Sequence, residues 1–219
     1  MIRFLKEYRH LLAVLTIALQ GLIYLQITPL ATQDSVQVNT SLDDLIPYLS
    51  WFVIFYVAWM PLLYIAFIYL GMTNRSLYWR TIIAYNAAVT VSNLIFILFP
   101  TSMPRPEISG NDIFYMLVLF IYNHDQPVNC FPSIHCLTTY LLFISMIRHQ
   151  LFSVGMRVLF SVFFWSIIAS TVFIKQHALV DVIGGILLAE MAYRVVEYVL
   201  DKQRKVPITE QHDSSASLK

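Results

Sequence analysis

Residues 45–70 read LIPYLSWFVIFYVAWMPLLYIAFIYL and contain no charged side chain. A helix needs roughly 20 apolar residues to cross the hydrocarbon core of a bilayer, so this stretch is long enough to span a membrane once. The whole chain has a similar character, because 58% of its 219 residues are hydrophobic and only 12% are charged. Such a mixture is too apolar for an ordinary soluble domain, and the net charge of +1 excludes a strongly basic nucleic-acid-binding protein. The sequence therefore predicts a polytopic membrane protein.

Polar breaks divide the rest of the chain into further apolar segments. Together they predict an all-α fold, a six-transmembrane-helix bundle within residues 1–206, with helices near 11–30, 45–70, 81–100, 134–151, 155–174 and 180–200. A shorter apolar piece at 113–123 is interpreted as an extra interfacial helix in the third loop. The first segment is too long for the hydrophobic region of a secretory signal, so we expect it to be retained as a span.

Charge is distributed unevenly between the two sets of helix ends. One set carries Arg3, Lys6, Arg9, Arg75, Arg80, Arg148, Arg157, Lys202, Arg204 and Lys205, and the other carries Asp34, Asp43 and Asp44 with Arg105 and Lys175 as its basic residues. Because basic residues favour the cytoplasmic side, we predict that both termini are cytoplasmic. The segment 207–219 has almost no apolar side chains and is predicted to be a disordered cytoplasmic tail.

The first candidate motif lies on the predicted outer side, where the segment Asn129-Cys130-Phe131-Pro132-Ser133-Ile134-His135 opens the fourth helix. Proline and serine before a helix are typical of a helix N-terminus, whose free N–H groups and positive dipole end suit a phosphate. A well-capped helix without chemistry is the alternative interpretation. The two cysteines, Cys130 and Cys136, are expected to be free thiols, because a bridge beside this turn would have to meet demanding geometry.

A second motif, Lys175-Gln176-His177-Ala178-Leu179-Val180-Asp181, leads into the sixth helix on the same side. His177 and Asp181 are four residues apart, so in a helix the carboxylate can accept a hydrogen bond from one ring nitrogen. The other nitrogen is then free to act as a nucleophile. The alternative is an ion pair that anchors the helix start at the interface. Ionisable groups beside membrane spans are costly, which makes them functional candidates.

Arg105, in Pro104-Arg105-Pro106-Glu107, is a third candidate, because its planar fork can bind phosphate through two hydrogen bonds. An isolated loop arginine is more often a solvated charge. Two predicted helices separate the two histidine motifs, so both motifs return to the outer face together with Arg105. In the same loop, His124 and Asp125 are adjacent and point in different directions, so we interpret them as turn and interface residues.

These motifs resemble the type 2 phosphatidic acid phosphatase superfamily over roughly residues 100–185. The family pattern is a lysine and Arg-Pro motif, a Pro-Ser-x-His motif, and a Ser-Arg motif ending in His-x-x-x-Asp. Pro132-Ser133-Ile134-His135 matches the second motif, with Ile134 where glycine is usual, and His177 with Asp181 matches the end of the third.

The phosphate-binding part of the family pattern is altered in this chain. Ser170-Thr171 stands where the family usually has Ser-Arg, and Leu98 stands where the lysine of the first motif would fall. The segment Asp125-Gln126-Pro127-Val128-Asn129 and the Lys-Gln-His form are more similar to the inositol phosphorylceramide synthase-like branch of the superfamily. A transferase activity therefore remains an alternative to hydrolysis.

The resemblance implies that His177 attacks phosphorus to form a phosphohistidine, that Asp181 orients it, and that His135 protonates the departing oxygen. It implies that Ser133, Arg105 and Lys175 hold the phosphoryl oxygens, and that neither a metal nor a cofactor takes part. Positioning and charge neutralisation are most of what phosphoryl transfer requires.

Three functions are consistent with these features. The leading one is a metal-independent membrane lipid phosphatase that hydrolyses a phospholipid or polyprenyl phosphate or diphosphate at the outer face of the membrane. The second is a head-group phosphotransferase resembling inositol phosphorylceramide synthase. The third is a non-enzymatic membrane protein that keeps the fold after decay of the phosphate site. A nucleic-acid partner is not expected for any of them.

Overall fold

The computed structural model describes residues 7–32 and 35–205. The predicted tail at 207–219, the basic residues Arg3 and Lys6, and Asp34 lie outside the described residues.

Most of the described chain is helical. Its α-helices are α1 (Leu15–Ile27), α2 (Ser41–Asp44), α3 (Val53–Thr73), α4 (Arg75–Leu98), α5 (Ile113–His124), α6 (Ile134–Arg148), α7 (Val154–Phe173) and α8 (Leu179–Lys205). Short 3-10 turns flank α1 at Arg9–Val14 and Thr28–Thr32, and another, Ser50–Phe52, leads into α3. Two-residue strands, β1 (Val36–Gln37) and β2 (Thr101–Ser102), pair in parallel and tie the segment between α1 and α2 to the segment between α4 and α5. The predicted all-α class is confirmed.

Four helical stretches are long and apolar enough to cross a membrane: Arg9–Ala31, Ser50–Thr73, Arg75–Leu98 and Val154–Phe173. The two remaining predicted spans coincide with α6 and α8. With 15 residues, α6 is shorter than the roughly 20 that a span usually has, whereas α8 is long enough but carries several charged residues. Helix α5 occupies the place predicted for the short extra helix. The structure therefore supports a membrane protein with at least these four candidate spans.

The core lies where α6 and α8 pack along each other, with α4 against α8 and α7 against α6. Its large buried side chains include Phe67, Tyr78, Leu137, Phe164 and Tyr193. At the edge of the bundle, α1 packs on α4, and much of the surface of α1 remains exposed and apolar. Exposed leucines on α1 are what a lipid-facing helix requires.

Two adjacent glycines on α8 allow it to approach the start of α6 closely. A Cβ atom on Gly185 would lie 2.6 Å from the carbonyl oxygen of Ser133, and one on Gly184 would collide with the ring of Phe131. Nearby, the backbone N–H of Ser133 donates to the carbonyl oxygen of Asp181 at 3.1 Å. The beginnings of α6 and α8, which carry the two histidine motifs, are thereby held side by side.

Four charged residues of α8 form ion pairs away from the histidine motifs. Arg80 of α4 pairs with Glu197, at 3.1 Å, and with Asp201. Glu190 pairs with Arg148 of α6 at 3.2 Å and with Arg194 of α8 itself. Pairing lowers the cost of charges within a membrane helix, so these residues are compatible with a span even though they lower its hydropathy.

Candidate functional site

His135 and His177 meet where α6 and α8 begin. Nε2 of His177 lies 3.3 Å from Nδ1 of His135, which is hydrogen-bonding distance for a pair in which one ring donates and the other accepts. His135 lies in the first turn of α6, and His177 lies two residues before α8 begins. The structure thus brings together the two histidines that the sequence motifs single out.

Asp181 lies on the far side of His177. Its Oδ2 is 3.4 Å from Nδ1 of His177 and accepts a hydrogen bond from the N–H of Ala178 at 2.9 Å. The carboxyl group is fully buried, and neither its Oδ1 nor Nδ1 of His177 has a hydrogen-bond partner within the part of the chain that the structure describes, so the 3.4 Å approach is a close contact rather than a hydrogen bond. Because a buried carboxylate is costly unless it is paired, the imidazole of His177 is its natural partner. A proton on Nδ1 leaves the lone pair of Nε2 facing His135.

A turn after α7 fixes the position of His177. The backbone N–H groups of Gln176 and His177 both donate to the carbonyl oxygen of Thr171, at 2.9 and 3.0 Å. The turn is closed by Lys175 in the left-handed region, with φ of 55°. His177 therefore precedes the helix rather than lying in it. Its contact with Asp181 persists because helical side chains tilt towards the N-terminus.

The segment between α1 and α3 binds this turn through Asp43 and Ile46, which contact Lys175 and Leu179. We call these contacts the clamp. The ammonium group of Lys175 donates to the carbonyl oxygens of Asp43 and Ile46, both at 2.7 Å. The Asp43 carboxylate accepts from the N–H of Leu179, the first residue of α8, at 2.7 Å and from the N–H of Thr40 at 2.8 Å. Burial raises the pKa of Asp43, but these hydrogen bonds outweigh burial and hold the pKa below its ordinary value.

Replacing Asp43 with asparagine should therefore lower the free energy of unfolding near neutral pH by about 1.5–3 kcal/mol, the range for hydrogen bonds to a charged group. The stabilisation from ionised Asp43 is present above its unfolded pKa of about 3.9 and is lost as pH falls through the lowered folded pKa. The difference in free energy of unfolding between Asp43→Asn and the unchanged protein should therefore become smaller in acid. Thermal unfolding in detergent at a series of pH values measures this difference. The exposed neighbour Asp44 gives the control, Asp44→Asn, and a loss for Asp43→Asn that is equal at every pH would contradict this account.

A cavity of about 290 Å³ opens beside the two histidines. Its polar end is lined by His135, His177, Asp125, Asn129 and Gln176. Oδ1 of Asn129 and Nε2 of Gln176 are buried and have no hydrogen-bond partner among the described residues. Unsatisfied buried polar atoms are costly, so an acceptor and a donor in the wall of a cavity are suited to a polar ligand.

Asp125 is a cavity residue whose role sequence reasoning missed. It ends α5, as expected for a turn residue, but its carboxylate accepts hydrogen bonds from the hydroxyl of Tyr56 at 2.9 Å and from that of Tyr24 at 3.4 Å. Its interpretation as only a turn and interface residue is therefore incomplete. The sequence does mark Asp125 as a functional candidate, because a charged side chain beside an apolar span is costly, as it is for Asp181. The neighbouring His124 is exposed and stacks on Phe120.

Two aromatic residues of α3 hold the His135 ring. Tyr56 stacks on it with ring centroids 4.6 Å apart, and the Trp59 ring lies 4.1 Å away, centroid to centroid. The indole N–H of Trp59 donates to the hydroxyl of Thr138 on α6 at 2.8 Å, which fixes the indole in turn. An aromatic wall restricts the His135 ring while leaving its nitrogens at the cavity. Composition and helical pattern alone did not reveal this contact.

The guanidinium group of Arg105 is engaged by protein acceptors. It donates to the carbonyl oxygens of Tyr122 and Asp125, at 2.9 and 2.6 Å, and to Oε1 of Gln176 at 2.6 Å. It also lies over the Tyr122 ring, 4.3 Å from the centroid. Burial lowers the pKa of Arg105, while the neighbouring carboxylate of Asp125 opposes the shift. In this arrangement Arg105 joins the end of α5 to the turn that carries His177.

Ser133 is likewise used within the protein. It is fully buried, and its hydroxyl caps α6 by accepting from the N–H of Cys136 at 3.3 Å. The described residues that line the cavity do not include Ser133, Arg105 or Lys175. The structure places all three around the histidine pair, and each binds other parts of the chain, although Nε of Arg105 has no hydrogen-bond partner among the described residues. Their role in binding phosphate stays a prediction.

One group of side chains beside the histidines could hold a metal ion. The ligand atoms of Cys130, His177 and Asp181 lie within 4.8 Å of one another, and three protein ligands are the usual number in a catalytic zinc site. Both cysteines are free, as predicted. Burial raises the pKa of the Cys130 thiol well above its usual range, which favours the neutral thiol when no cation is bound. Loss of activity on addition of a chelator would indicate a metal ion at this group, and unchanged activity would indicate that no metal takes part.

Comparisons of this chain with protein-family models, with curated proteins and with solved structures give no match.

Proposed function

We propose that this chain is a membrane lipid phosphatase that hydrolyses a lipid phosphate or diphosphate through a phosphohistidine on His177. The observation that carries the proposal is the line of three side chains, Asp181, His177 and His135, at the polar end of a cavity among apolar helices. A nucleophile oriented by a third group, with a second titratable group beside it, is the arrangement that nucleophilic catalysis requires. The apolar helices favour a lipid as the substrate.

In the proposed reaction, the lone pair of His177 Nε2 forms a bond to phosphorus while the bond from phosphorus to the leaving oxygen breaks. Protonated His135 gives its proton to that oxygen. Water then attacks the phosphohistidine as His135 removes one of its protons, the P–N bond breaks, and phosphate leaves. Asp181 balances the positive charge on His177 during both steps. In the structure the 3.3 Å contact leaves no space for phosphorus between the rings, so substrate binding has to separate them.

The proposed topology has six spans, with α6 and α8 completing the four apolar stretches, both termini in the cytoplasm, and the histidine pair at the outer face. Arg80 and Arg148 lie at the end of the bundle away from the histidines, and this arrangement of basic residues supports the orientation. Lys175, at the histidine end, is bound to backbone carbonyls rather than free in solution.

A head-group phosphotransferase is the second candidate, and Asp125 is the observation that favours it. A carboxylate in the cavity wall repels a phosphate, but it accepts hydrogen bonds from the hydroxyl groups of an alcohol. Asn129 and Gln176 add a free acceptor and a free donor to the same end of the cavity. The first step would be the same, and an alcohol would replace water in the second.

The test is phosphate release by detergent-purified protein from a panel of lipid phosphates and diphosphates, with and without a chelator and with and without alcohol acceptors. We expect release that survives the chelator, together with a covalent phosphoprotein when the phosphoryl group is radiolabelled. Release that requires a metal would instead favour the Cys130, His177 and Asp181 group as a metal centre. Head-group transfer without release would favour the transferase, and the absence of both would favour a non-enzymatic protein.

A further inference from the structure

The cavity beside the histidines extends beyond its polar end along α1, α3 and α4, and it reaches the surface of the bundle at Met60, whose side chain is 46% exposed. We call this extension the chain arm; it is lined by Ile17, Gly21, Met60, Leu63 and Val89. These residues belong to α1, α3 and α4, whose stretches are all long and apolar enough to span a membrane. The chain arm therefore lies at the depth of the bilayer, whereas the histidines lie at the helix ends.

A single cavity with a polar end and an apolar arm fits an amphiphilic molecule. Its polar end offers two imidazoles, an amide donor and an amide acceptor, whereas its arm is lined mainly by apolar side chains. The polar residues along the arm are Gln20, Tyr64 and Tyr85, and the Gln20 amide is already bonded to Thr90 and Asn93 of α4. A water-soluble phosphate ester would leave the arm unused. The volume of about 290 Å³ is near the lower limit of the roughly 300–1,000 Å³ typical of ligand pockets, so there is room for one chain segment rather than two.

Gly21 lies between the polar end of the cavity and the deeper part of the chain arm. Tyr24, which contacts Asp125 at the polar end, lies one turn after Gly21 on α1, and Ile17 lies about one turn before it. With a rise of 1.5 Å per residue, Gly21 is about 4.5 Å deeper than Tyr24, and Ile17 is about 6 Å deeper again. A Cβ atom on Gly21 would meet no atom within 4 Å. A larger side chain there fits without a backbone clash and projects into open space.

We propose that the chain arm binds a single hydrocarbon chain of the substrate lipid and that Gly21 is the residue that determines the chain length accepted. This inference rests on the proposed function, because it places the head group of the same lipid at His177. It adds to that function the substrate class, a lipid whose phosphate-bearing end enters from within the bilayer with one chain leading into the bundle.

The experiment compares the unchanged protein with Gly21→Leu on a short-chain and a long-chain lipid phosphate of the same head group. We expect the ratio of kcat/KM for the long chain to that for the short chain to fall by on the order of tenfold, as loss of burial of about two methylene groups would produce. Gly155→Leu is the matched control, because a Cβ atom there also meets nothing within 4 Å and Gly155 does not line the cavity. The control should leave the ratio unchanged.

The inference is overturned if Gly21→Leu retains phosphate release with an unchanged ratio, or if Gly155→Leu shifts the ratio equally. Should the unchanged protein release no phosphate from any lipid, the proposed function fails, and native mass spectrometry with the same two lipid phosphates then tests the arm separately. Selective loss of long-chain binding in Gly21→Leu would support the arm, and equal binding by both proteins would overturn it.

Discussion

Replacing His177 with asparagine is expected to abolish the covalent phosphoprotein and to lower phosphate release by at least roughly 10³-fold, as loss of a nucleophile does in other enzymes. Asparagine keeps a polar side chain beside Asp181 but has no nitrogen lone pair able to attack phosphorus. Radiolabelled substrate with an acid quench measures the phosphoprotein, and phosphate release measures turnover. The control is His124→Asn, since His124 is exposed on α5 and bonds only to the carbonyl of Phe120 among the described residues.

His135→Asn separates the roles of the two histidines. The loss of a general acid costs about 10²–10⁴-fold. On a substrate whose leaving group needs no proton, such as a nitrophenyl ester, His135→Asn should recover the first step. This recovery should be seen as a burst of nitrophenol and a phosphoprotein that accumulates, because the second step still lacks its base, whereas His177→Asn should show neither. Wild-type turnover by His177→Asn, or equal recovery of both variants, would rule out the proposed assignment.

The second large effect is expected for Gly185→Ala. The new Cβ would lie 2.6 Å from the carbonyl oxygen of Ser133 and 3.1 Å from the backbone nitrogen of Leu137. Both are backbone atoms of the α6 start, so α8 has to move away from α6 as a body. Such overpacking typically costs about 1–3 kcal/mol, and a displacement near 1 Å between reacting groups costs about 100-fold in rate.

Thermal unfolding and kcat on the same preparation measure both consequences of Gly185→Ala. Gly155→Ala is its control, because the added methyl group meets no neighbour there and alanine favours a helix more than glycine does. We expect the control to match or slightly exceed the unchanged protein in stability. A Gly185→Ala protein with normal kcat would show that the close approach of α6 and α8 does not position the histidines.

The helices could be predicted well from hydropathy, and their boundaries less well. The second span was predicted to begin at residue 45, but α3 begins at Val53. The intervening residues are used elsewhere: the carbonyl of Ile46 accepts from Lys175, and the N–H of Leu49 donates to the carbonyl of Phe173. Helix α4 begins earlier than predicted because the side chain of Asn74 caps it. Apolar content does not distinguish such residues from those of a span.

The proximity of the two histidines and Asp181 could be predicted, because helix-start motifs and a four-residue spacing are local patterns. The partners of Asp43 and Asp125 could not be predicted, because they lie far along the chain, at Leu179 for Asp43 and at Tyr24 and Tyr56 for Asp125. Local sequence also fails to show which acceptor a cation will bind. Lys175 was expected to face phosphate, but the structure gives it two backbone carbonyls.

The clamp formed by Asp43 and Lys175 has a consequence for biosynthesis. Asp43 is synthesised 136 residues before Leu179, whose N–H its carboxylate accepts. His177, Asp181 and the glycines that pack α8 against α6 are also synthesised after α1 to α7. The nascent chain therefore lacks the Gln176 and His177 side of the cavity, and the two histidines cannot meet, until this part of the chain has been made.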